Sequence, residues 1–252
     1  MNLAGEKKKI VSTTELSVSS IPVSKTVPSI VYTAIQQVGP SQFTGICSDD
    51  TGNTCVAHKK VQKKYPWILN MADPCHHLND LTKDICNLPH FKGIIKDVHH
   101  TMKFFKKSTI ANSHLKKAHR VHMILCGLVS IGKTHFWSIY HATASVKWCL
   151  PAIRDICGSH LIKIPDVNSN FSVTEPLAKS ITCLESSHAT AVDVYVFWLA
   201  IMASMNNTLQ SNDVAENIRH LCNYRFNQSI HDGPSDIFIT SFFLDPCLCL
   251  IT

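Results

Sequence analysis

Apolar residues along this chain recur at helical spacing, then in short runs, then at helical spacing again. From Thr26 to Val38 they fall at Val27, Ile30, Val31, Ala34, Ile35 and Val38. That spacing predicts a helix with Pro28 in its first turn and Gly39-Pro40 at its end. Phe43 to Cys47 is a short apolar run that stops at Ser48-Asp49-Asp50 and reads as a buried strand. Thr51-Gly52-Asn53 supplies turn residues and a helix start, and the helix runs to Lys64, stopped before Pro66. Trp67-Ile68-Leu69 predicts a second short strand leading into Asp73, followed by a helix over about 75–87 opened by His76 and His77. Ile10 to Val18 allows a further strand, although it is rich in Ser and Thr. Strands alternating with helices predict a small sheet flanked by helices.

From Leu88 the texture changes. Phe91, Ile94, Ile95, Val98, Met102 and Phe105 mark one helical face. Around it stand Lys92, Lys96, Lys103, Lys106 and Lys107, continuing to Lys116, Lys117 and Arg120, with Asp97 the one acid between Leu88 and Arg120. A basic face of this density can track a phosphate backbone and bind with strong salt dependence. A charge run also serves simply as a solvated helix face, and both readings stand. Beyond residue 121 the pattern predicts helices at roughly 135–147, 150–160, 174–186, 189–206 and 211–222. The apolar run Ala191 to Met205 holds Asp193 and is shorter than the roughly 18 residues of a membrane span, so it reads as a buried helix.

Composition sets the class. The 252 residues suffice for one large domain, or a domain with a sizeable insertion, and 45% hydrophobic with 17% charged residues describes a globular chain. A formal charge of +6 and fifteen histidines permit nucleic-acid binding without requiring it. Residues Met1 to Lys8 are too polar for a signal peptide. Eleven cysteines at irregular spacing predict reduced thiols in the cytosol or nucleus, and the lack of a Cys-x-x-Cys pair argues against structural zinc.

Several local patterns carry possible chemistry. Gly127 to Thr134 satisfies G-x-x-x-x-G-K-[ST], the loop whose backbone amides and Lys cradle phosphates while the Thr hydroxyl holds Mg²⁺. That loop needs a preceding strand and a partner Asp on another parallel strand. The apolar run ending in Asp is Phe242-Phe243-Leu244-Asp245, more than a hundred residues on. The His pairs His76/His77, His99/His100 and His119/His122 lack a Cys or carboxylate in register and read as surface or partly packed side chains. Cys249 to Thr252 has the outline of a prenylation box, but Thr is not a usual final residue.

Four segments in order carry a family likeness: Ser48-Asp49-x-x-x-Asn53, then Asp73-x-x-His76-x-Leu78-Asn79, then Leu128 to Phe136 with its Gly-Lys-Thr-His-Phe, then Phe242-Phe243-Leu244-Asp245-Pro246. Together they resemble the hAT superfamily of transposases, in its fungal and plant branch. The core of the likeness spans about Val38 to Leu150. Departures are Asp73 where the family usually has Cys, His135 where it has Arg, and Cys247 where it has Arg after Leu-Asp-Pro. The resemblance implies an α/β, predominantly helical fold in three parts. Residues 1–87 form a partial ribonuclease-H-like core, a small mixed sheet with flanking helices. Residues 88–230 form an all-α insertion with the basic face at 92–120, and 231–252 form a C-terminal strand returning to the core.

The resemblance also implies a site. Asp49 corresponds to the second carboxylate of a metal-dependent nuclease centre, and Asn53, Asp73, His76 and Asn79 are motif residues beside it. Such chemistry needs two or three converging acids to hold Mg²⁺ or Mn²⁺. No Asp precedes Asp49, the upstream acids are Glu6 and Glu15, and the chain ends seven residues after Asp245, before the family's final Glu and dimerisation region. The family's N-terminal zinc finger is also lacking. The expectation is a catalytically inactive fragment, truncated at both ends. It would need no cofactor, have DNA as its candidate partner and no membrane, and be nuclear or cytoplasmic. Taken as bare residues, Asp49 is equally an N-cap for the helix from Thr51, and His76 a residue that orients its turn.

Overall fold

Helix α1, Val27–Val38, buries Val31, Ala34 and Ile35 from the face its sequence marks as apolar. It stops at Gly39, whose φ of 101° is open to glycine at little cost, and the Gly39 amide donates to the Ile35 carbonyl at 3.0 Å. A 3-10 turn, Pro40–Gln42, leads into strand β1, Gly45–Ser48. Helix α2, Gly52–Lys64, crosses over to strand β2, Leu69–Ala72, and helix α3, Pro74–Cys86, follows. The remaining helices are α4 Pro89–Lys107, α5 Thr109–Val121, α6 Ser138–Cys157, α7 Glu175–Leu184, α8 Ala191–Thr208, α9 Asp213–Phe226 and α10 Ile237–Leu244. The structure is a computed structural model that describes residues 27–49, 51–132, 136–157, 171–208 and 213–247. The strand expected at Ile10–Val18, together with Lys133, Thr134, His135 and Cys249–Thr252, lies outside the described residues.

The chain divides into two units: residues 1–76 with 226–252, and residues 77–225. The sequence expectation set divisions at 87/88 and 230/231. The observed ones fall inside α3 and α9, because later residues of α3 bond within the second unit. Asp80 and Asp84 hold Arg225, with the Arg225 guanidinium 2.7 Å from Asp84, and Asn79 accepts from the Phe136 amide at 2.7 Å.

In the first unit β1 and β2 are parallel, paired Gly45↔Leu69, Ile46↔Asn70, Cys47↔Met71 and Ser48↔Ala72. The small mixed sheet of the sequence expectation is, among the described residues, this two-stranded parallel sheet. Its strands sit at 45–48 and 69–72 rather than 43–47 and 67–69. Phe43 and Ile68 are core residues just before the ladders, so the apolar runs mark the core more closely than the pairing. Gly45 has a steric reason: an added Cβ would lie 2.8 Å from Met71 Cε and 3.3 Å from the Leu69 carbonyl. Val31, Ile35, Phe43, Ile46, Val61, Tyr65 and Ile68 form the core. Fully burying each large aliphatic side chain there contributes about 1.5–3 kcal/mol.

The second unit is helical among its described residues. Val98 and Phe105 of α4, Ala111 and Leu115 of α5, and Ala142, Val146, Cys149, Ala152 and Ile153 of α6 make one core. The continuous helical face expected from Leu88 to Arg120 is two helices. Ser108 ends α4 and caps α5, its hydroxyl accepting from the Ala111 amide at 3.1 Å. Conversely, the helices expected at 135–147 and 150–160 are the single helix α6. Pro151 lies within it as an exposed residue, as does Lys147 four residues before it, whose carbonyl Pro151 has no amide hydrogen to bond. Helix α8 buries Val194, Trp198, Ile201 and Met205 at helical spacing. No helix among the described residues is long and apolar enough to cross a membrane.

The C-terminal strand expected within 231–252 is instead helix α10, preceded by a π-helical turn at Asn227–His231. An apolar run of this length suits a strand or a short helix equally by periodicity. Helical turns leave Phe243 and Leu244 exposed and bury Phe238.

Candidate functional site

The carboxyl edge of the sheet gathers the motif residues of the first unit. Ser48 and Ala72 are the last pair of the parallel ladder. Asp49 and Asp73 follow them directly, so both acids leave the sheet at the same edge, where parallel α/β units present functional side chains. Each is half-buried. The sequence expectation gave the site a single acid, Asp49, and treated Asp73 as a substituted motif position. The parallel pairing brings Asp73, expected at the end of the second strand, to the same edge as Asp49.

Their local contacts are those of turn residues. Thr51, not Asp49, is the N-cap of α2, and it caps without a side-chain bond. The Asp49 Oδ1 instead accepts from the Thr51 hydroxyl at 3.4 Å, and the Asp49 carbonyl accepts from the Thr54 hydroxyl. Asp73 Oδ1 accepts from the Cys75 amide at 3.0 Å, the turn-forming contact at the start of α3 that the sequence reading gave to His76. His76 is half-buried in the first turn of α3, and Asn53 is exposed in the first turn of α2. Among the described residues no three or more His, Cys, Asp or Glu side chains converge to hold a metal ion.

Between the two strands lies a group the sequence reading did not single out. Ile46, Ser48, Asn70 and Ala72 share one face of the sheet by pairing and alternation, and His58 of α2 reaches that face. His58 is 5% exposed. Its Nε2 lies 2.9 Å from Ser48 Oγ and its Nδ1 lies 2.6 Å from Asn70 Oδ1. The three are ten and twelve residues apart in sequence. Only the strand pairing and the helix above it bring them together.

The second unit carries the basic face. At 100° per residue, Lys92, Lys96, Lys103, Lys106 and Lys107 fall within an arc of roughly 100° on α4. From Lys92 to Lys107 that stripe runs about 22 Å. Lys116, Lys117 and Arg120 form a second stripe on α5, and all eight cations are exposed. Asp97 lies off the α4 stripe, half-buried. Phe91, Val98, Thr101 and Phe105 hold α4 by its opposite side. A cavity of about 370 Å³ adjoins the stripe, lined by Lys92, Lys96, His99 and His100 with Phe136 and Ile139. Asn79, expected as a motif residue, fixes the Phe136 backbone beside that cavity.

The phosphate-loop pattern meets a different geometry. Residues 124–132 form neither helix nor strand, and Ile124, Leu128 and Ile131 pack against the α4–α5–α6 core. The Val129 amide donates to Ser145 Oγ at 3.0 Å and the Gly132 amide to Ser138 Oγ at 2.8 Å. Residues 123–126 pair with no strand among the described residues, so the sheet context a phosphate loop requires is not formed there. The helical conformation that the transposase likeness gave this segment is not seen in its described part either.

Of the His pairs, His119 has its Nε2 buried with no hydrogen-bond partner among the described residues, and burial lowers its pKa from the ordinary 6.5. His122 bonds Asp155 of α6, while His99 and His100 are exposed. Burial pushes the thiols of Cys86, Cys149 and Cys222 up to about 12, which leaves them unreactive. Comparison with protein-family models, with curated proteins and with solved structures finds no match for this chain.

Proposed function

We propose that this chain is a protein of hAT-transposase type that does not cleave DNA strands and binds DNA without sequence preference through the outer faces of α4 and α5. One observation carries the reading: eight exposed cations in two helical stripes, with the single acid of the segment off the α4 stripe. Lysines on a rigid helix match phosphate oxygens as point charges and release condensed counterions on binding. They read no base edges, so affinity is insensitive to sequence. The parallel β1–α2–β2 unit, with Asp49 and Asp73 at its carboxyl edge, suits a remnant of a ribonuclease-H-like core. That no third His, Cys, Asp or Glu joins Asp49 and Asp73 among the described residues suits a remnant that no longer cleaves.

The test is a duplex-binding titration of the full chain against its Lys103→Gln/Lys106→Gln/Lys107→Gln variant. Each phosphate contact contributes about 0.9 to the slope of log affinity against log salt. The variant is expected to keep its helical circular dichroism and lose about 2–3 from that slope. An unchanged slope in a folded variant would remove the reading.

A further inference from the structure

We propose that Ser48, His58 and Asn70 form a nucleophile–base–orienter site for acyl transfer from small carboxylic esters. The Asn70 side-chain oxygen can only accept, so its 2.6 Å contact places a hydrogen on His58 Nδ1. The neutral ring then carries its lone pair on Nε2, and the Ser48 hydroxyl donates to it at 2.9 Å. The other acceptor near that hydroxyl, the Asp49 carbonyl, is more distant at 3.3 Å. A serine hydroxyl bonded to an imidazole lone pair, with the far nitrogen fixed by a side-chain oxygen, is the arrangement that activates serine for attack. A neutral amide serves as the orienting group in other nucleophile–histidine sites.

Placement supports the chemistry. Ser48 ends a parallel strand ahead of α2 and is half-buried. Thr51, Gly52 and Asn53 beside it are exposed, and nothing lies within 4 Å of where a Gly52 Cβ would stand. His58 itself is buried, so its ring is held between β1 and β2 rather than free to turn to solvent. With the serine itself half-buried, a small acyl group is the substrate proposed.

The step balances. Ser48 Oγ forms a bond to the ester carbonyl carbon while its proton passes to His58 Nε2. The ester C–O bond breaks and the leaving alcohol takes that proton. Water then attacks the acyl-Ser48 carbonyl, gives a proton to Nε2, and the carboxylic acid departs as the proton returns to Ser48. Ser48 and His58 act on the reacting atoms, and Asn70 is a positioning residue.

The experiment treats the full chain with a fluorophosphonate and, separately, with p-nitrophenyl acetate, and locates any adduct by peptide mass. The expected result is a single phosphonylated Ser48 and an acetate burst approaching one equivalent, both lost in Ser48→Ala. His58→Gln should slow labelling at least tenfold. Asn70→Leu should slow it too, while Asn70→Asp restores or exceeds the parent rate, a rescue that a purely structural contact would not give. Nitrogen-15 shifts of His58 should report the Nδ1–H tautomer. No Ser48 adduct on the folded parent chain, equal labelling of the His58→Gln variant, or an Nε2–H tautomer would each overturn the proposal.

Discussion

The two units use polar side chains differently. In the sheet-bearing unit His58 is buried and bonded through both ring nitrogens to side chains of the two strands, and the acids of the carboxyl edge spend contacts on turns. In the helical unit the buried hydroxyls of Thr82, Thr101 and Ser145 bond carbonyls of their own helices, and the charges of α4 and α5 stand outward. A buried polar group must be bonded or it costs about 1–3 kcal/mol, so the first arrangement fixes geometry. Exposed cations cost little and fix nothing by themselves. They become consequential only when a polyanion gathers them. The sheet unit is therefore where directed chemistry is to be sought, and the helical unit where electrostatic binding is.

Substitutions can break or sharpen that contrast. The largest expected effect belongs to the outward charges. Lys103→Glu/Lys106→Glu/Lys107→Glu should lower duplex affinity about 100-fold or more at low salt and leave the urea midpoint almost unchanged, as read by anisotropy and circular dichroism. Next comes the exception inside the helical unit. Arg225 is 19% exposed at its side chain and joins α9 to Asp80 and Asp84 of α3. Arg225→Ala leaves two half-buried carboxylates facing each other, and should destabilise that unit by about 2–4 kcal/mol in urea unfolding while duplex affinity is kept.

A smaller effect of opposite sign is expected at the end of α5. Met123 has φ 51° and is 86% exposed, and the Ile124 amide closes the helix end on the His119 carbonyl at 2.8 Å. Glycine is the favoured residue at such a left-handed position. Met123→Gly should raise stability by about 0.5–1 kcal/mol in the same urea assay.

The smallest is a slope in pH. Burial holds the His119 pKa below 6.5, so between the two values the unfolded chain binds more protons than the folded one. The His119 contribution is intact above about pH 6.5 and is lost as pH falls through the folded value. Replacing His119 by Leu should flatten that acid limb of the stability profile in thermal melts.

What the sequence disclosed follows from what periodicity encodes. Helices α1, α2 and α3 begin and end within a residue or two of their expected places, because Gly39, Pro66 and the apolar spacing all act locally. The break at Ser108 has a local signal too, since a Ser before Thr109-Ile110-Ala111 is an N-cap residue, while the apolar stripe from Phe91 to Phe105 carries no mark of it. Pro151 misled in the other direction, because its exposed position in α6 is a tertiary fact. The run Ile237–Leu244 has no period to choose between helix and strand. Exposure of the basic residues followed from the pattern directly. Neither the pairing of Asp49 with Asp73 at one edge nor the Ser48–His58–Asn70 contacts could be read that way, because both depend on parallel register across a crossover helix.

The central claim is that the outward cations of α4 and α5 form a phosphate-tracking surface. The most direct measurement is the affinity of the full chain for two unrelated duplexes of equal length, by fluorescence anisotropy across about 50 to 200 mM salt. The account predicts equal affinities for the two sequences and a log–log slope of about −4 to −7, set by how many of the eight cations meet phosphates. Absence of binding at the lowest salt, or affinity indifferent to salt, would contradict it.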